Sequence, residues 1–231
     1  MKVLFLGNSH TFFNDMPELF ARFVEMTTGE KPEITMLAYG GRGYRWHRKE
    51  YTAMRFNLMY GGYDYAVLQQ SAHPYPEIEE TLDYGSDIIG LCHRQGVKPV
   101  VFMTWAEKRF PENQQKMIDT CEKLAAENNA LLAPIGKVWE RVNKEHPEIE
   151  LYFADGEHAG PYGDFLISCV LCKLLTGDIS EDVSGYGLDF FGGVKGFDMQ
   201  RPVLLEDKEL VKTELDKEKT DIIIKTVKEM M

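Results

Sequence analysis

Three side chains in this sequence have the types that a nucleophilic acyl transfer needs: a serine, a histidine and a carboxylate. Ser9 stands in Gly7-Asn8-Ser9-His10-Thr11, directly after an apolar run at Lys2–Leu6. Asp155 and His158 stand together in Asp155-Gly156-Glu157-His158. A serine hydroxyl is a weak nucleophile until a base takes its proton, and the base must be oriented by an acceptor. With a spacing of three, a loop or a single turn lets the Asp155 carboxylate meet Nδ1–H of His158. Negative charge growing on a carbonyl oxygen then needs donors. The Ser9 backbone N–H, a backbone N–H in Gly40-Gly41 and the Gln69 side-chain amide are the candidates, with Gln70 and Ser71 next to them. Glycine suits such a place because backbone approaches a ligand most closely where no Cβ intervenes.

Residues so far apart must be gathered by the fold. The chain alternates short apolar runs with segments of helical periodicity. Strands are expected at Lys2–Leu6, Glu33–Ala38, Tyr65–Leu68, Lys98–Thr104 and Leu131–Pro134. Helices are expected at Met16–Met26, His47–Met59, Glu77–Gln95, Pro111–Asn128, Gly136–Lys144 and Tyr162–Leu175. This alternation predicts parallel βαβ units: a doubly wound, five-stranded α/β sheet of flavodoxin-like order 2-1-3-4-5, with helices on both faces. Ligands of open α/β sheets gather at the carboxyl ends of the strands. Ser9, Gly41, Gln69, Trp105 and the Asp155–His158 block all follow strands in this way. Asn8, His10, Gly40, Gln70, His73 and Trp105 complete the candidate pocket lining. Residues 184–205, rich in glycine and aromatics, read as a long loop or irregular hairpin, and 206–231 as one or two closing helices. The whole chain reads as a single domain.

Composition narrows the function. A net charge of −11 argues against a nucleic-acid partner and against anionic membranes. No apolar run approaches the roughly 20 residues of a membrane span. The apolar stretch before Gly7 is too short for a secretory leader, so a cytoplasmic protein is expected. Cys169 and Cys172 form a Cys-x-x-Cys with no second ligand pair at matching spacing. They read as buried helix residues, with no metal and no cofactor implied.

Gly7-Asn8-Ser9-His10, Gly41 and Asp155-Gly156-Glu157-His158 together resemble the blocks of the SGNH (GDSL-like) hydrolase superfamily of esterases and lipases, over roughly residues 2–177. The resemblance implies a three-layer α/β sandwich, with Ser9 as nucleophile, His158 as base and Asp155 as its orienting partner. Ser9, Gly41 and Gln69 would form the oxyanion hole. The third block departs: Leu68-Gln69-Gln70 stands where Gly-x-Asn-Asp is usual, which places Gln69, Gln70 or Ser71 in the asparagine's role. The implied partner is a small-molecule ester. The acyl group would be short, since the sequence has no long apolar lid, and an O-acetylated carbohydrate fits the family. A different reading also stands: a flavodoxin-like binding module in which residues 7–11 cradle a phosphate at a helix start. Asp15 would repel a phosphate there, and the Asp155/His158 block would have no task.

Overall fold

The structure, a computed structural model, describes residues 1–189 and 211–231. Five parallel strands form the main sheet: β1 (Lys2–Gly7), β2 (Glu33–Ala38), β3 (Tyr65–Gln69), β4 (Lys98–Phe102) and β5 (Leu131–Ala133). Their order is β2-β1-β3-β4-β5, as the alternation predicts. The chain winds from β1 out to β2 and then crosses back to β3. That reversal opens a crevice between the carboxyl ends of β1 and β3.

Side chains alternate along a strand, so a central strand that is apolar throughout needs cover on both faces. β1 meets this condition. Val3 and Phe5 enter one core, with α2 (Met16–Thr28), α7 (Ile135–Glu145), α8 (Pro161–Thr176) and α9 (Lys217–Met230). Leu4 and Leu6 enter the other, with α3 (Tyr44–Lys49), α4 (Tyr51–Tyr60), α5 (Ile78–Arg94) and α6 (Asn113–Glu127). Cys169 and Cys172 lie buried in the first core as free thiols.

Three local expectations change. The helix expected over 47–59 is two helices, α3 and α4, because the backbone leaves helical geometry at Glu50. The residues after β1 form no open loop. They wind at once into a single turn, α1 (Ser9–Phe12), and a 3-10 turn over Phe13–Asp15. Within the 184–205 region, β6 (Tyr186–Asp189) pairs antiparallel with β7 (Val211–Glu214), so among the described residues of the closing segment a strand precedes α9. The expectations for residues 190–210 lie outside the described residues.

One buried polar link joins the start of α2 to the start of α8. The Asn14 amide donates to the Ala159 carbonyl at 2.9 Å and to Asp164 Oδ2 at 2.6 Å. Holding Asn14 there places both Asn14 and Asp15 at positive φ, at 47° and 58°. Burial pushes the Asp164 carboxyl well up, against the Asn14 hydrogen bond. Burial, with Glu18 nearby, also raises Asp15, from 3.8 to about 6. A carboxyl raised on folding stabilises below its unfolded pKa, and that contribution is lost as pH rises through the folded value. Thermal stability of the native chain is therefore expected to decline between pH 4 and pH 6.5. Asp15→Asn should flatten that decline and melt higher at pH 7. Melting curves across the range check this, and an unchanged slope in Asp15→Asn would refute it.

Candidate active site

The site begins where β1 ends. A Cβ on Gly7 would lie 2.2 Å from Thr11 Oγ1 and 2.6 Å from Gln69 Oε1, so only glycine lets the chain turn this tightly against β3. Asn8 then caps α1. Its Oδ1 accepts from the His10 N–H at 3.0 Å, and its amide donates to the Arg42 carbonyl at 3.0 Å. This cap sets Ser9 at the first position of the turn, where its hydroxyl rises from the sheet edge.

The opposite side is a tight turn at Asp155–His158. Gly156 takes φ +73°, a left-handed conformation that favours glycine. Asp155 Oδ1 accepts the backbone N–H groups of Glu157 and His158 at 2.9 and 3.0 Å. Its Oδ2 lies 2.7 Å from His158 Nδ1. His158 Nε2 lies 2.8 Å from Ser9 Oγ. With Nδ1–H donating to Asp155, Nε2 is left to accept the Ser9 hydroxyl proton. Partial burial pushes the Asp155 carboxyl up, but the hydrogen bonds from Glu157 N–H and from the His158 ring and N–H outweigh it and hold the group below the usual carboxylate range.

The loop after β4 supports this turn from beneath. Lys108 N–H donates to the Gly156 carbonyl at 2.9 Å, and Trp105 Nε1–H donates to the Glu157 carbonyl at 2.9 Å. Arg109 bridges Glu107 and Glu157.

A cavity of about 510 Å³ opens over Ser9 and His158. Asn8, His10, Gly41, Ser71 and His73 line it, with Ala72, Pro74, Pro76, Glu77, Glu80 and Glu157. Among the described residues, the backbone N–H groups of Ser9 and Gly41 have no partner. The Ser71 hydroxyl makes only a 3.5 Å contact, to Gln70.

Four of the expected lining or donor residues stand elsewhere. Gln69 is fully buried and turned from the cavity. Its Oε1 accepts from Asn8 N–H at 2.9 Å and from the Thr11 hydroxyl at 3.0 Å, and its amide donates to the Gln70 carbonyl. Gln70 is buried too, accepting from the Tyr44 and Ser71 N–H groups and donating to Thr81. Both amides go to backbone that would otherwise be buried without partners. Trp105 is a core residue stacked on Trp139 at 4.2 Å, and Gly40 is exposed beside the cavity lining. The sequence reading passed over His47, whose Nε2 lies 2.9 Å from the Gly7 carbonyl, and Phe13, whose ring lies on His158. Asn and Asp favour positive φ more than other non-glycine residues do, but their types alone do not say that the turn they make sets Phe13 on His158.

A protein described as an SGNH hydrolase from Slackia heliotrinireducens superposes with a TM-score of 0.66, covering 76% of this chain and 98% of that one at 26% identity. The chain has the SGNH-hydrolase fold. A lipase/acylhydrolase from Enterococcus faecalis superposes with a TM-score of 0.61 over 78% of this chain and 97% of its own, at 16% identity. The acetyl xylan esterase AlAXEase does so with a TM-score of 0.62 over 76% and 100%, at 18% identity. No protein-family model and no curated protein matches the chain. Within the SGNH fold, Ser9, Asp155 and His158 meet at the carboxyl edge of the sheet, while Gln69 and Gln70 turn inward. No helix among the described residues is long and apolar enough to cross a membrane.

The inward pose of Gln69 changes what its loss should do. Gln69→Ala strands the buried Asn8 N–H, at a cost of about 1–3 kcal/mol. The melting temperature should fall by several degrees and the hydrolysis rate should fall with it. A donor aimed at an oxyanion would lower kcat alone, so an unchanged melting temperature in Gln69→Ala would overturn the bracing role.

Proposed function

We propose that the protein is a serine esterase acting on short-chain acyl esters. The observation that carries this reading is the unbroken hydrogen-bond line Asp155–His158–Ser9, at 2.7 and 2.8 Å, opening into a cavity. Ser9 Oγ attacks the ester carbonyl carbon as its proton passes to His158 Nε2. The carbonyl π pair moves onto oxygen. The Ser9 and Gly41 N–H groups and the Ser71 hydroxyl receive that oxyanion. Collapse of the tetrahedral species expels the alkoxide, which takes the proton from Nε2. Water then enters, His158 takes one of its protons, and a second collapse frees the carboxylic acid and returns the proton to Ser9. Asp155 fixes the tautomer throughout and stabilises the imidazolium that forms in each half.

The cavity, lined by polar groups and prolines, has room for an acetyl group and a hydroxyl-rich alcohol. Likeness in fold to an acetyl xylan esterase also supports an O-acetylated carbohydrate. The phosphate-binding alternative gains nothing from a four-residue α1 whose first hydroxyl is bound to a histidine.

A fluorophosphonate probe with mass mapping is the decisive experiment. Labelling is expected at Ser9 alone. Ser9→Ala should lose aryl-acetate hydrolysis by several powers of ten and stay folded. Ser71→Ala should lower kcat by up to about 10²-fold with little change in KM. An unlabelled native protein, or a Ser9→Ala variant with native turnover, would end the esterase reading.

A further inference from the structure

The edges of the His158 ring are held by Asp155 and Ser9, and its two faces are occupied as well. Phe13 stacks on one face, with ring centroids 4.4 Å apart and planes 20° from parallel. His10 stacks on the other, at 4.6 Å and 28°. Phe13 comes from the 3-10 turn and His10 from α1, so one short segment, beginning one residue after the nucleophile, supplies both sides. Each plate is itself fixed. Phe13 meets Phe153 edge to face at 5.1 Å. His10 rests against Trp105 at 5.4 Å, and its backbone N–H is tied to Asn8.

We propose that His10 and Phe13 are positioning residues that clamp both faces of His158, hold its ring plane in the Asp155–Ser9 line and stabilise the imidazolium formed during catalysis. This rests on the esterase reading. An aromatic face carries negative charge density, so it favours a cation lying over it. The clamp therefore acts more strongly on the charged ring than on the resting one. Interactions that strengthen as charge develops are those that raise kcat.

His10 can serve only while neutral, because a second imidazolium at this distance would oppose the first. Burial, aided by His73 and His158, lowers His10 well below the usual histidine range. The nearby Glu157 carbonyl works against that shift, and the His10 Nε2 is buried without a partner. The other ionisable groups around this cluster are Asp155 and Glu157 on His158's own turn, His73 after β3 with Glu107 beside it, Arg109 paired to Glu157, and Glu77 and Glu80 on the cavity wall. Burial lowers His73 to about 4, although Glu107 beside its Nδ1 works against that shift. His73 is therefore also neutral where an ester hydrolase works.

The test compares four variants that keep bulk but change the ring. Phe13→Leu and His10→Leu remove a π face, whereas Phe13→Tyr and His10→Phe retain one. Each is assayed for aryl-acetate hydrolysis from pH 4.5 to 9, for rate of fluorophosphonate labelling and for melting temperature. Both leucine variants should lose about 3–10-fold in kcat/KM and in labelling rate. Their activity should hold to lower pH than the native protein's, because an unstabilised imidazolium forms less readily. For Phe13→Leu, KM should not change, since Phe13 does not line the cavity. The ring-retaining variants should restore both rate and pH profile. Leucine variants with native rates and native acid limbs, beside a native protein labelled at Ser9, would overturn the clamp and leave the esterase reading intact. The clamp also fails if Phe13→Tyr loses as much as Phe13→Leu. A native protein that takes no label would overturn the esterase reading and, with it, the clamp.

Discussion

Much of this molecule depends on one buried donor. β1 ends inside the protein, and the next backbone N–H, on Asn8, has no strand partner. Leaving it unpaired would cost about 1–3 kcal/mol. Gln69 at the end of β3 answers it at 2.9 Å and takes the Thr11 hydroxyl as well. The serine turn is thus bolted to the neighbouring strand at the reversal point of the sheet. The bolt needs Gly7 without a Cβ, and it takes Gln69 out of the cavity.

The other half of the site is fixed by a different principle. The Asp155–His158 turn has no strand beneath it, so the β4 loop provides a backbone partner at Gly156 and an indole partner at Glu157. Asn14 reaches the Ala159 carbonyl from the serine side. A serine and a histidine 149 positions apart therefore meet through hydrogen bonds supplied by the surrounding elements. Ion pairs such as Arg109–Glu157 add little to this, because solvent screens them at the surface.

The sheet order was legible because it follows from hydrophobic runs and helix caps, which are local. Pro17 with Gly29 and Pro161 with Gly177 punctuate α2 and α8 in ways that any reader of the chain can find. The meeting of Ser9, Asp155 and His158 was legible from their types, their order and the sheet edge they share. The role of Gln69 was not. A glutamine after a strand can point its amide at a ligand or spend it on a buried backbone, and the choice depends on whether Asn8 N–H has another acceptor. Trp105 likewise stands after a strand, but its ring is claimed by Trp139. The break at Glu50 is set by tertiary contacts that no propensity announces, and the Asn14-Asp15 pair favours positive φ without saying which turn it makes.

The carboxylates around the cavity pose a last question of magnitude. Glu77, Glu80 and Glu157 line it, on a chain of net charge −11, yet the proposed ester hydrolysis would build a negative oxygen there. Across about 10 Å of water-like medium a unit charge contributes only about 0.4 kcal/mol, and salt reduces that further. Arg45 and Arg109 already offset two of the three carboxylates. A pre-aimed donor touching the oxyanion contributes about 3–4 kcal/mol, because it acts at contact and is fixed in place before charge appears. Near contacts therefore outweigh the rim by several-fold. The same carboxylates act favourably on the imidazolium, which forms at the same moment with opposite sign. An acidic rim is thus nearly neutral toward the zwitterionic step itself. Its net effect would fall on whatever charge the substrate of the proposed reaction brings, so that an anionic ester would meet repulsion before reaching Ser9.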